Sequence, residues 1–286
     1  MHPVNNIAAS VPSGDFGRLL DFVAACSPLF VLTGAGCSTD SGIPDYRDDN
    51  GEWKYTKPVQ YLDFISNKSI RKKYWARSMI GWPRVADARP NPAHISLARL
   101  ESSGLIHHLV TQNVDGLHHL AGSRRVLELH GNLENVICID CRHNIPRKRI
   151  QDFLVAENSR FNMDTHEPAP DGDAISENTV YDFFKLPACD KCNGTLKPDV
   201  VFFGESVPKN RVVLAMRKLL ESRGLLVIGS SLMVYSGYRF VREALKHEIP
   251  IAAINLGRTR ADQVLTLKFQ SPCGPILEKL SYRLAS

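Results

Sequence analysis

Four cysteines stand in two C-x-x-C pairs, Cys138-Ile139-Asp140-Cys141 and Cys189-Asp190-Lys191-Cys192. Each spacing lets both thiolates turn onto one ion, and four thiolates make a closed tetrahedral zinc site with no position left for substrate. Such a site is structural and organises a stretch too polar to build its own core. A redox C-x-x-C and unpaired buried thiols are the other readings of the same spacing. Residues 142–188 separate the pairs, longer than the roughly 15–20 residues of common zinc ribbons, so a sizeable loop or helix must be inserted.

A second group of residues suits acid–base work. Gln112, Asn113 and Asp115 share one loop, and His130 lies a short strand away. Amides and a carboxylate can hold a ribose or a carboxamide there. A histidine of ordinary pKa about 6.5 can serve as a base at neutral pH. A hydrogen-bonded structural role suits a lone histidine equally, and nothing local marks out His94, His107 or His118.

The third group runs from Thr33 to Arg47, T-G-A-G-C-S-T-D-S-G-I-P-D-Y-R, directly after the apolar run Pro28–Leu32. Gly34 and Gly36 permit backbone shapes and a close ligand approach that a Cβ would block. A helix starting just beyond such a turn points free N–H groups at a phosphate. The ordinary dinucleotide fingerprint is incomplete, because Thr39 stands where the third glycine belongs and no acidic strand end follows at about 20 residues. Instead the chain turns polar at Asp45-Tyr46-Arg47-Asp48-Asp49. The segment suggests a dinucleotide held in an unusual way, while a bare G-x-G also serves as a plain tight turn.

These groups need a scaffold, and hydrophobic patterning supplies one. Short apolar runs alternate with helical periodicity: a helix over 15–26, strands at 29–32, 108–111 and 125–129, and a helix over 93–102. Residues 63–79 read as a helix that Trp82-Pro83 ends. Further on come a strand at 200–203, a helix at 209–223, a strand at 225–228, a helix at 237–247 and a strand at 250–254. This rhythm predicts a parallel sheet covered on both faces. Ligands then bind beyond the carboxyl ends of the strands. Gly34–Ser38, Gln112–Asp115, Gly229–Ser231 and Asn255–Gly257 all follow strand ends. Residues 132–197 break the rhythm and read as a separate small module.

Bulk properties narrow the class. The chain has 286 residues, 43% of them hydrophobic, and carries a net charge of +5. A sizeable core is expected, and the mild, scattered charge does not signal a nucleic-acid binder. No apolar run approaches the roughly 18 residues of a membrane span, and Met1–Gly14 lacks the features of a secretory or transit peptide. The expected place is the cytoplasm, with no membrane partner and a monomer favoured. Seven cysteines, an odd count, argue against a disulfide framework. Cys26 and Cys37 read as buried small apolar residues.

Taken in order, G-A-G-x-S with S-G-I-P-D-Y-R, T-Q-N-V-D-G-L-H, H-G, the two C-x-x-C pairs, F-F-G-E, G-S-S-L and N-L-G resemble the sirtuin family over about residues 16 to 280. Tyr74-Trp75-Ala76-Arg77, Gly81-Trp82-Pro83, Pro170-Asp171-Gly172-Asp173 and the long gap between knuckles resemble its class II branch, the relatives of the mitochondrial lipoamidase/ADP-ribosyltransferase. The fold class implied is α/β, a Rossmann-like parallel sheet domain with a smaller zinc-binding module and a helical insertion. A flexible N-terminus (1–14) would precede a deacylase domain (15–286). Its core would be 15–47, 104–131 and 198–286, its helical and cofactor-loop segment 48–103, and its zinc module 132–197.

The resemblance implies an NAD-dependent protein lysine deacylase that consumes NAD and releases nicotinamide and O-acyl-ADP-ribose. Mono-ADP-ribosyl transfer from the same site, or an idle NAD-sensing module, are the alternatives. His130 would accept a proton from a ribose hydroxyl. Asn113 and Asp115 would orient the ribose and the nicotinamide amide, and Gln112 the ribose hydroxyls. Gly34, Ala35, Gly36 and Ser38 would face the pyrophosphate, with Asp45, Tyr46 and Arg47 on a loop closing over the cofactor. Gly229, Ser230 and Ser231 would bind phosphate and ribose. Asn255, Leu256, Gly257 and Cys273 would line the adenosine end. Cys138, Cys141, Cys189 and Cys192 would hold one structural zinc ion. An acyl-lysine peptide would lie extended between Val200–Gly204 and Leu232–Val234. Cys37 departs from the family's usual Ile or Val. Tyr74 and Arg77 have the spacing of an acidic-acyl pocket, though Arg77 reads equally as a solvated helix-face residue.

Overall fold

The computed structural model describes residues 16–55, 57–161, 167–175 and 181–285, with backbone alone at 167, 168, 171 and 175. The expected flexible N-terminus, 1–14, lies outside the described residues.

Strand β1 (Leu29–Thr33) is buried at every position. Alternate side chains go to opposite faces of a strand. Val31 packs with Leu19, Phe22, Leu97 and Leu277, which come from helices α1 (Phe16–Cys26), α4 (Pro92–Ser102) and α9 (Cys273–Leu284). Phe30 and Leu32 pack with Leu219 and Phe240 on the other face, from α7 (Lys209–Leu220) and α8 (Tyr235–Lys246). A strand clothed on both sides is the mark of a parallel sheet. The sheet holds β1, β2 (Ile106–Thr111), β3 (Val126–Glu128), β9 (Gly224–Ile228), β10 (Ile251–Ile254) and β11 (Leu267–Phe269). Its order is β11-β10-β9-β1-β2-β3, parallel throughout. The chain therefore leaves β1 toward β2 and returns to β1's other side as β9. The crevice at that switch point, beyond the strand ends, is where such folds take ligands.

The other strands form a smaller unit. β4 (Gly131–Cys138) pairs antiparallel with β5 (Asn144–Pro146) and with β8 (Leu196–Val200), and β6 (Glu167–Ala169) pairs with β7 (Asp173–Ile175). The expected strand at 200–203 is thus corrected. The strand ends at Val200, runs antiparallel to β4, and belongs to the small sheet rather than the parallel one. Phe202 N–H then donates to Glu205 Oε2 at 2.8 Å, which turns the chain out of strand geometry. Helix α6 (Arg147–Glu157) occupies part of the long gap between the knuckles.

The expected helix at 63–79 also needs correction. Two helices are present, α2 (Tyr61–Ser66) and α3 (Lys68–Asp87). Asn67 divides them, its side chain accepting from Ser69 N and Ile70 N. α3 runs through Pro83 instead of ending there. A proline inside a helix orphans the carbonyl four residues back. That carbonyl, of Met79, accepts instead from Gln151 Nε2 of α6 at 2.7 Å. Buried Arg147 binds the Ser78 carbonyl from the same helix and lies 4.7 Å from the Trp82 ring. Trp75, Ala76 and Met79 of α3 complete the core of the small module with Val136, Ile150 and Leu154.

The cysteines of that module converge. Cys138 Sγ lies 3.5 Å from Cys192 Sγ, and Cys141 Sγ 3.6 Å from Cys189 Sγ. A zinc–sulfur bond of about 2.3 Å sets tetrahedral sulfur–sulfur edges of about 3.8 Å, so the four thiols fit one zinc ion. Each knuckle turns back through a left-handed residue, Arg142 (φ 60°) and Asn193 (φ 58°). These are closed, all-sulfur surroundings for a structural ion.

Purified protein should carry one zinc per chain, read by elemental analysis. Cys189→Ser should lose the metal and lower the thermal midpoint, whereas unchanged metal content would refute the assignment. Gln151→Leu leaves the Met79 carbonyl without its partner and should cost roughly 1–3 kcal/mol in urea unfolding.

Candidate active site

The two glycine turns meet at the switch point. Gly34 N–H donates to the Ile228 carbonyl at 3.0 Å and Gly36 N–H to the Gly229 carbonyl at 2.9 Å. A Cβ on Gly34 would stand 2.7 Å from Ser230 Cβ, and one on Gly229 (φ +59°) 2.4 Å from Cys37 N. No other residue allows that approach. The expected helix after the turn proves to be two single 3-10 turns, Ala35–Cys37 and Thr39–Ser41. With two of the turn's amides spent on the β9 loop, a helical N-terminus is not what faces the crevice. Asn91, the capping residue of α4, donates from Nδ2 to the Cys37 carbonyl at 2.9 Å and pins the turn from behind.

A cavity of about 880 Å³ opens at this crevice. Binding pockets for small molecules commonly run to about 300–1,000 Å³, so a dinucleotide is of suitable size. Gly34, Ala35, Gly36, Gln112, Asn113 and His130 line one part; Gly229, Ser230, Ser231, Asn255, Leu256, Gly257 and Cys273 line another. Asp45, Tyr46, Arg47 and the stretch Val200–Gly204 complete the wall. The expected residues thus come together from segments far apart in sequence.

Among the expected cofactor contacts, Ser38 and Asp115 are the exceptions, since they lie behind the wall rather than on it. Ser38 Oγ donates to Asp115 Oδ2 at 2.7 Å and accepts from Asn113 Nδ2 at 3.0 Å. Asn113 Nδ2 also donates to the Gly34 carbonyl at 3.1 Å. Both amide hydrogens of Asn113 are therefore spent, and Oδ1 is the atom it can offer a ligand. Gln112 Nε2 bridges the Thr33 carbonyl and Ser230 Oγ, at 3.2 and 2.8 Å. Deeper still, the His94 and His118 rings meet edge to face with their centroids 4.8 Å apart. Burial pushes the pKa of each down, so both stay neutral.

His130 is held by two contacts. Nδ1 lies 2.9 Å from the Gln112 carbonyl and Nε2 lies 2.8 Å from Ser236 Oγ. Burial pushes its pKa down to about 4, with the nearby Arg239 and Arg211 charges adding to the effect and the Gln112 carbonyl opposing it. The imidazole is neutral at physiological pH. Cys273, by contrast, is pushed up to about 12 by burial and remains a thiol.

The loop after Ile43 crosses the cavity. Arg47 Cζ sits 4.0 Å from the Trp53 ring centroid, and Arg47 Nη1 donates to the Gly51 carbonyl at 2.7 Å. Tyr46, Trp53 and Phe203 meet edge to face at 5.5–6.0 Å. At the far end Arg258 N–H donates to the Asp49 carbonyl at 2.7 Å. Of the expected segment Leu232–Val234, only Val234 lines the cavity. Leu232 is buried in the core, and Met233 packs where a Cβ on Gly51 would meet its Cε at 2.6 Å.

A smaller cavity of about 70 Å³ shares Tyr46, Trp53 and Val200–Phe203 with the first and is lined by Tyr74 and Arg77. Arg77 is not a solvated helix-face residue. Its Nη2 pairs with Asp173 at 2.7 Å and its Nε donates to the Ala174 carbonyl at 2.6 Å. Sequence reasoning missed Trp53, Asp173 as Arg77's partner, and Ser236. Their partners are distant in the chain, and only the loop aromatic of Trp53 offered a local signal.

The Sir2 family model matches residues 34–236. A protein of Bradyrhizobium diazoefficiens named NAD-dependent protein deacetylase 2 is 55% identical over 255 residues, 89% of this chain and 93% of that one. The Bos taurus protein named NAD-dependent protein lipoamidase sirtuin-4, mitochondrial, is 44% identical over 269 residues, 93% of this chain and 85% of that one. Among solved structures, one described as Sir2-p53 peptide-NAD+ superposes with a TM-score of 0.76 at 29% identity, covering 94% of this chain and 98% of that one. Another, described as Sir2 bound to acetylated peptide, gives 0.75 at 28% identity, with the same coverage. The matches reach across both walls of the cavity and the small module between them, and the chain belongs to the Sir2 family.

Proposed function

We propose that this protein is an NAD-dependent protein lysine deacylase. The observation that carries the reading is His130, a half-buried histidine whose tautomer is fixed and whose basic nitrogen sits at the wall of a dinucleotide-sized cavity. The relatives named as deacetylases and lipoamidase, and the solved complexes with peptide and NAD, support it.

In this reading the adenosine end lies at Asn255–Gly257 and Cys273, and the phosphates at the Gly34–Gly36 and Gly229–Ser231 turns. The nicotinamide ribose lies between Asn113 and His130. NAD supplies an electrophilic C1′ as nicotinamide leaves, and the acyl oxygen attacks there. The centre is cation-like, so fixing the ribose and excluding water carry much of the catalysis. Asn113 orients the ribose through Oδ1, and Asp115 acts through Ser38, which holds the Asn113 amide. His130 then takes the proton of a ribose hydroxyl. The aromatic group of Tyr46, Trp53 and Phe203 screens the site from water. The acyl-lysine peptide runs along Val200–Gly204 and Val234, with its acyl end toward Tyr74 and Arg77. An acidic acyl tail would have to compete with Asp173 for Arg77. Seven free thiols, four of them at the metal cluster, fit a reducing compartment such as the cytoplasm.

The test is an acyl-peptide panel (acetyl, succinyl, glutaryl, lipoyl, biotinyl, long-chain) scored by nicotinamide release, with mass spectrometry of the peptide. Deacylated lysine is expected; a retained ADP-ribose would indicate transfer instead, and no release from any peptide would sink the reading. His130→Ala should lower deacylation by about 100-fold or more. Because burial holds the His130 pKa near about 4, the base is active above that value and is lost as pH falls through it. The acid limb of kcat/KM assigned to His130 should therefore lie near about pH 4, and a limb centred at about 6.5 would contradict a depressed base.

A further inference from the structure

The two ring nitrogens of His130 are committed in different directions. The Gln112 carbonyl can only accept, so Nδ1 carries the proton and Nε2 the lone pair. Ser236 Oγ, 2.8 Å from Nε2, therefore donates its hydroxyl proton to the base. Both residues line the large cavity. Among the described residues Ser236 Oγ has no other hydrogen-bond partner, and helix α8 has no side-chain cap, so the hydroxyl is not spent on the helix end. A hydroxyl that donates once still has lone pairs with which to accept.

The backbone is built to hold this contact. A Cβ on Gly237 would stand 2.4 Å from Gln112 Oε1, so the first turn of α8 presses closely on the Gln112 amide, which a larger residue would have to displace. Gln112 thus fixes both parties: its carbonyl sets the His130 ring, and its side chain packs on the turn that carries Ser236.

We propose that Ser236 is the group through which the substrate proton reaches His130, a role that rests on the deacylase reading above. The ribose hydroxyl's O–H bond breaks, and its oxygen keeps the electron pair for the new bond to the acyl carbon. That proton goes to Ser236 Oγ, while Ser236's own proton moves to His130 Nε2. The acyl carbon, by then joined through its oxygen to the ribose, releases the π pair of its C=N bond to the lysine nitrogen. The positive charge passes from that group to the imidazole, and the serine is restored.

The test compares two rates in Ser236→Ala and the parent chain, both carrying zinc. Exchange of labelled nicotinamide into NAD, with acyl-peptide present, needs no proton through His130; formation of deacylated peptide does. Exchange should stay within about twofold of the parent, while deacylation falls roughly 10–100-fold, as loss of a proton-transfer group predicts. Deacylation within twofold of the parent, faster deacylation, or equal losses in both rates would overturn the relay. A parent chain that shows neither exchange nor deacylation fails the deacylase reading itself, and the relay with it.

Discussion

Everything in the site depends on two backbone turns touching where no side chain could fit. Gly34 and Gly36 lie against Gly229 and Ser230, so the ends of β1 and β9 are joined by direct amide–carbonyl bonds. This closes the crevice of the parallel sheet at its centre. It also brings Ser230 within reach of Gln112, which arrives from β2 on the opposite side. The missing third glycine of the ordinary fingerprint then makes sense. A long phosphate-binding helix does not follow this turn; two short 3-10 turns do, and they bury Ser38 beneath Asn113.

From that contact outward, polar groups are ordered by satisfying one another first. Asn113 spends its amide hydrogens inside the protein, Asp115 accepts from Ser38 and Leu117, and Gln112 spends Nε2 on two acceptors. Groups committed in this way do not reorganise when a ligand arrives, which is the condition for electrostatic preorganisation. His130 is held in the same way, by the Gln112 carbonyl and Ser236, and burial together with the charges of Arg239 and Arg211 favours its uncharged state.

What was legible in the sequence was what short-range spacing encodes. The paired cysteines, the apolar strands and the polar clusters at strand ends are local patterns, and the structure brings them together. What was hidden depends on partners far along the chain. Pro83 reads as a helix stop because its missing N–H strands a carbonyl, and nothing nearby reveals that Gln151 will satisfy it. Val200 reads as a parallel-sheet strand because composition carries no direction; its pairing with Gly131 decides the sheet. Ser236 was invisible for the same reason, since a serine in the first turn of a helix is ordinary until His130 lies beside it.

Helix α3 faces two ways. Trp75, Ala76 and Met79 are built into the core around the metal knuckles, while Tyr74 and Arg77, on the same turns, line the small cavity beside Phe202. The metal-bearing module therefore cannot swivel on the large sheet without turning those two side chains with it. In mechanical terms α3 is an axle common to both, and the width of the small cavity is geared to the seating of the metal-bearing module.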